Sequence, residues 1–130
     1  MREELKEKLL KEFPFLFESP YFRGINIGSG WFPLVYSLCK DLTKFLKIEP
    51  MSSIKILIVK EEYGGLRVYA SVYPKYLVGE VFMRIHETEL KSRGICEVCG
   101  GKGSLCTNSY SLKTLCSKCA NKLGFLPVGL

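Results

Sequence analysis

Two Cys-x-x-Cys pairs, Cys96/Cys99 and Cys116/Cys119, stand with 16 residues between them in the stretch CEVCGGKGSLCTNSYSLKTLCSKC. Two residues between cysteines allow a tight turn that aims both sulfurs at one point. Two such turns, brought together by the intervening loop, supply a tetrahedron of thiolates with Zn–S bonds near ~2.3 Å. The spacing predicts one structural Zn²⁺ held by Cys96, Cys99, Cys116 and Cys119. Sulfur ligands alone leave an iron–sulfur cluster as the competing occupant and disulfides as a third possibility. Gly100 and Gly101 follow the first pair, where the turn needs positive φ. A closed four-sulfur set leaves no open position for water or substrate, so the chemistry is structural rather than catalytic.

The other reactive side chains carry less. Cys106 lies in the loop between the pairs, where it reads as a free thiol in a hairpin. Cys39 sits near the apolar face of a helix and reads as a small buried hydrophobe. His86 is the only histidine; it falls on a helix with Glu87 and Glu89 nearby but with no nucleophile motif around it. An enzyme using His86 is the least favoured function. GINIGSGW (24–31) is glycine-rich but lacks the Lys-Ser/Thr ending of a phosphate loop, and reads as a loop leading into a helix cap.

Charge is unevenly placed. The formal net charge is +6. Residues 1–90 hold 13 basic and 12 acidic side chains, while residues 91–130 hold Lys91, Arg93, Lys102, Lys113, Lys118 and Lys122 against Glu97 alone. That bias suggests an anionic partner for the C-terminal part. Four thiolates around Zn²⁺ carry a net charge of about −2, which offsets part of it. On the hairpin segment KEEYGGLRVY, Lys60, Tyr63, Arg67 and Tyr69 interleave cations with aromatic rings, a combination that can stack bases and hold phosphates.

These residues need elements to position them. In 2–13, Leu5, Leu9 and Phe13 form the stripe of a short amphipathic helix ended by Pro14. Residues 13–30 read as an aromatic loop packing its phenylalanines onto the core. Ser29 or Gly30 caps a second helix at 31–47, with Trp31, Leu34, Val35, Leu38, Leu42, Phe45 and Leu46 on its apolar side. IKILIVK and LRVYASVY, joined through EEYGG, predict a hairpin. Residues 75–92 return to helical spacing, with Gly94 as C-cap. The expected fold is α+β, with helices packed on a small antiparallel sheet and a C-terminal zinc-ribbon-like module. A 1–93 core would carry a 94–130 module, and a third strand is expected from 105–115 or from a partner chain. No segment reads as a secretory signal or membrane span, so a cytoplasmic location is the default and no membrane partner is expected.

Trp31 entering a helix, the run Lys60, Tyr63, Gly64, Gly65, Leu66, Arg67, Tyr69, and the knuckles Cys96, Glu97, Cys99, Gly100 and Cys116, Cys119 resemble a family of small hypothetical proteins found in bacterial and phage genomes. The resemblance covers about residues 28–122. It implies the zinc assignment, a one-unit architecture and a phage or mobile-element context. The expected function is a non-enzymatic zinc-binding module that docks to a macromolecule, nucleic acid ahead of protein. Lys60, Arg67, Arg93, Lys102, Lys113, Lys118 and Lys122 would contact phosphates, and Tyr63, Tyr69 and Tyr110 would stack. The alternative is a phage-encoded protein that binds and inhibits a host protein, such as a polymerase or defence enzyme, through an exposed aromatic loop at 13–22.

Overall fold

The computed structural model describes residues 1–129. Helix α1 (Glu3–Glu12) buries Leu9, and Phe13 follows it into the core. Pro14 does not simply end the helix. It opens a second short one, α2 (Pro14–Phe17), at a position where its missing N–H costs nothing. Phe13, Leu16 and Phe17 are buried and Phe15 and Phe22 pack against the core, so within 13–22 only Tyr21 is a largely exposed ring. The phenylalanines of this segment thus pack onto the core as their composition predicts, because apolar side chains gain from burial, and the exposed aromatic loop that the alternative host-protein reading required is reduced to Tyr21.

Helix α3 (Phe32–Ile48) follows the expected stripe: Val35, Leu38, Leu42 and Phe45 are buried, with Trp31 just before it fully so. Neither Ser29 nor Gly30 caps it by a side chain. A 3-10 turn, Ser29–Trp31, leads straight in.

The hairpin forms as expected. Strand β2 of the hairpin (Ser53–Glu62) pairs antiparallel with β3 (Gly65–Tyr73). The two-residue turn has φ 53° at Tyr63 and 87° at Gly64, the double positive φ of a type I′ turn that matches strand twist. One extra residue, Leu57, interrupts the ladder between Ile56 and Ile58. Before it Ile54 and Ile56 face the core; after it Val59 does.

The third strand is not supplied by 105–115. It is β1 (Ile25–Asn26), parallel to β2 through Ile25↔Val59 and Asn26↔Lys60. A strand of two residues is too short to show alternation, which is why this stretch reads as loop. On the opposite side, helix α4 (Val78–Ser92) covers the first part of the free edge of β3. The Leu66 N–H donates to Ser92 Oγ (3.0 Å) and the Val68 N–H to Glu89 Oε2 (2.9 Å), which closes that stretch to strand addition. Arg84 on α4 bonds Asp41 on α3 at 2.7 Å and lies over the Phe45 ring. Arg93, in αR conformation, closes α4; Gly94 does not take the expected role.

The C-terminal part makes its own sheet. Strands β4 (Ser104–Thr107), β5 (Leu112–Leu115) and β6 (Leu126–Pro127) lie in the order β5-β4-β6, with α5 (Ser117–Leu123) before β6. Its small core is Cys96, Cys106, Leu115, Ala120 and Phe125. The fold is thus α+β with a zinc-ribbon-like C-terminal module. No helix among the described residues is long and apolar enough to cross a membrane.

Ser92 is fully buried, accepts from the Leu66 N–H and donates to the Glu89 carbonyl. Ser92→Ala strands both, and is expected to lower unfolding free energy by about 1–3 kcal/mol. Urea denaturation checks it, with an unchanged m-value expected.

Candidate metal centre and the junction that carries it

The first cysteine pair sits on a tight knuckle. The Cys96 N–H donates to the Gly101 carbonyl (2.7 Å) and the Gly100 N–H to the Cys96 carbonyl (2.9 Å). Gly100 takes φ 83°, as the turn requires. The Gly101 N–H then points at Cys99 Sγ, 3.4 Å away. In the second pair Cys116 caps α5, its Sγ accepting from the Cys119 N–H at 3.4 Å. The Cys119 N–H, ahead of the Cys119 thiol, holds Cys116 down to about 7, while the same Cys116–Cys119 contact pushes Cys119 up to about 12.

All four sulfurs lie within 4.8 Å of one another, and Cys99 and Cys116 Sγ are 3.6 Å apart. A tetrahedron with metal–sulfur bonds of ~2.3 Å has edges of about 3.8 Å. The donor set therefore fits a single four-coordinate ion, and these four cysteines can hold one metal ion. The other two cysteines stand apart. Cys39 is fully buried on α3, and burial pushes its thiol up to about 12. Cys106, in β4, points inward toward the Ser104 and Leu115 carbonyls.

The knuckle is set into the N-terminal half of the chain. The Gly30 N–H donates to the Glu97 carbonyl (2.8 Å), the Gly28 N–H to Glu97 Oε2 (3.0 Å) and the Trp31 indole N–H to the Ile95 carbonyl (2.8 Å). The approach is backbone to backbone. A Cβ on Gly30 would stand 2.2 Å from the Cys96 carbonyl oxygen and 2.5 Å from the Gly100 nitrogen; one on Gly28 would stand 2.4 Å from the Glu97 carbonyl oxygen. GINIGSGW is thus a cradle for the knuckle, not only a loop into a helix. A second contact lies at the hairpin turn, where Thr114 Oγ1 donates to the Gly64 carbonyl (2.6 Å). Gly64 is also packed against Leu105.

Glu97 ties these contacts together. Its side chain is 7% exposed, and Lys113 Nζ stands 3.5 Å from its Oε1 and 3.8 Å from Glu61 Oε1. Lys113 therefore balances a buried carboxylate, and its charge is committed within the junction.

The remaining expected contact residues fall into three groups. Lys102, Tyr110, Lys118 and Lys122 are exposed on the module, Tyr110 at 96%. Tyr63, Arg67 and Arg93 line one cleft between the hairpin turn, α4 and the module, together with His86. Lys60 is paired across from Arg67 and bonds Glu62 at 3.0 Å. Tyr69 donates to Glu62 Oε1 and has the Lys60 and Arg67 cations over its ring. Sequence reasoning missed Gly28, Gly30, Glu97, Thr114, Ser92 and Glu89 as structural partners. The one available clue was Glu97, the only acidic residue in a basic segment.

Gly30→Ala pushes a methyl into backbone fixed by the knuckle and is expected to destabilise by at least about 2 kcal/mol. Gly79→Ala, which meets nothing within 4 Å on α4, should instead stabilise by about 0.5–1 kcal/mol. Thermal melts of the two variants check the contrast. Metal removal by chelator should release residues 94–123 while β2 and β3 stay paired. Hydrogen exchange should then quicken at Gly28 and Gly30 as well as within the module, and the fluorescence of Trp31, the only tryptophan, should change with it. Comparison with family models, curated proteins and solved structures returns no match.

Proposed function

We propose that the chain is a non-enzymatic module, built around one structural zinc ion, that docks to nucleic acid. Zinc suits the donors because four thiolates in a tetrahedral set are its commonest structural environment. The ion so bound would hold the knuckle rigid rather than activate water.

The observation that carries the nucleic-acid reading is the sign of the exposed charge. Glu97, the only acidic side chain after residue 90, is buried against Lys113. Lys91, Arg93, Lys102, Lys118 and Lys122 are all exposed. Apart from the thiolates, every exposed side-chain charge over 91–129 is positive. Even against about −2 on the metal–thiolate centre, roughly three positive charges remain. Tyr63 and Tyr110, at 85% and 96% exposure, add free rings that can stack on bases.

Labelled single-stranded DNA and RNA titrated at 50 and 200 mM salt test the reading. Five phosphate contacts give a log–log slope of about −3.5, or about a 100-fold loss across that range. Lys118→Ala with Lys122→Ala should shallow the slope by about 1.4. No binding at the lower salt overturns the nucleic-acid reading. Metal analysis of the native protein should find one zinc per chain; iron, or no metal, overturns that part.

A further inference from the structure

We infer that the cleft between β3, α4 and the module is a phosphomonoester pocket, taking the phosphate of a free nucleoside monophosphate or of a phosphorylated strand end. The cavity measures about 460 Å³. Its floor includes the buried Gly64, Leu66 and Thr114. His86 on α4 and Arg93 at its C-terminal cap, seven residues on, both line the cleft, and Arg67 joins them from β3. Arg93 Nε lies 3.9 Å from where a Gly65 Cβ would stand, so its guanidinium rests on the hairpin turn.

Two carboxylates also line the cleft, and both are already engaged. Glu62 is held by Lys60 at 3.0 Å and by the Tyr69 hydroxyl at 2.9 Å. Glu89 Oε2 accepts from the Val68 N–H and lies 3.4 Å from Arg67 Nε. Arg93 has no carboxylate within ion-pair distance among the described residues. Its charge is the uncompensated one in the cleft, while the exposed His86 imidazole stands 3.9 Å from Glu89 Oε1.

A phosphomonoester suits this arrangement better than an internal phosphodiester. It carries up to two charges and three terminal oxygens, which a guanidinium fork grips in bidentate fashion. A second cavity of about 470 Å³ adjoins the first, sharing Arg67, His86 and Glu89 and running on over Leu57, Ala70 and Phe82. That apolar stretch offers a bed for the sugar and base beyond the phosphate. The pocket does not rest on the lysine surface of the module, and either can hold without the other.

The test uses the full, metal-loaded chain. Probes are AMP, adenosine, and one decamer carrying a 5′-phosphate, a 3′-phosphate or neither. Saturable AMP binding with no adenosine binding supports the pocket with a free nucleotide as source. A phosphorylated decamer at least about tenfold tighter than the unphosphorylated one supports a strand end. Arg93→Ala should abolish either preference. Arg93→Lys, which keeps the charge but loses the fork, should recover only part of it. Lys118→Ala with Lys122→Ala should weaken all decamers alike and leave the phosphate preference intact. Equal affinity for all three decamers together with no saturable AMP binding overturns the pocket, whatever the lysine surface does.

Discussion

The fold turns on a backbone-to-backbone contact. Gly28 and Gly30 let the peptide chain of one half lie directly against the Cys96–Gly100 knuckle of the other, with three N–H donors spanning the gap. Side chains could not make this approach, because a single methyl at Gly30 already overlaps three backbone atoms. The four sulfurs fix the knuckle from one side and the glycine cradle fixes it from the other. Held at that position, the module adds Leu105 and Thr114 to the cleft that Arg67 and Arg93 line beside the hairpin turn and α4.

This placement also explains an electrostatic economy. Glu97 is buried where it can accept from Gly28, and Lys113 moves in from β5 to balance it. The consequence is that the segment's only carboxylate is withdrawn from the surface, while its other cations stay in water. A stability requirement at the junction thereby sets the sign of the outward face. Lys60 shows the opposite case. Its bond to Glu62 raises its pKa and lowers that of Glu62, so the hairpin cations are largely spoken for locally.

What could be read from the chain was what local chemistry dictates. The cysteine pairs, the stripe of α3, the helical spacing of α4 and the hairpin with its Tyr63–Gly64 turn all declare themselves over a few neighbouring residues. The parts that stayed hidden depend on distant ones. Gly28 and Gly30 look like ordinary loop glycines until Glu97, 69 residues from Gly28, is placed against them. Strand β1 is too short for a period, and Ser92 and Glu89 show their use only once β3 lies beside α4. The packing of the 13–22 phenylalanines onto the core is legible in their composition, but nothing local reveals that Pro14 starts the short helix that turns Leu16 and Phe17 inward.

The additional residue at Leu57 acts as a phase shifter for β2. Ile54 and Ile56 are inward on one parity and Val59 on the other. An uninterrupted strand carrying Ile54 and Ile56 inward would also have turned Lys60 and Glu62 into the apolar layer and Val59 out of it. By absorbing one position, the chain lets a hydrophobic first half and a charged second half share one continuous ribbon. Insertions or deletions on either side of Leu57 are therefore not equivalent to changes at it. Only there can the count alter without swapping the faces of everything downstream relative to β3.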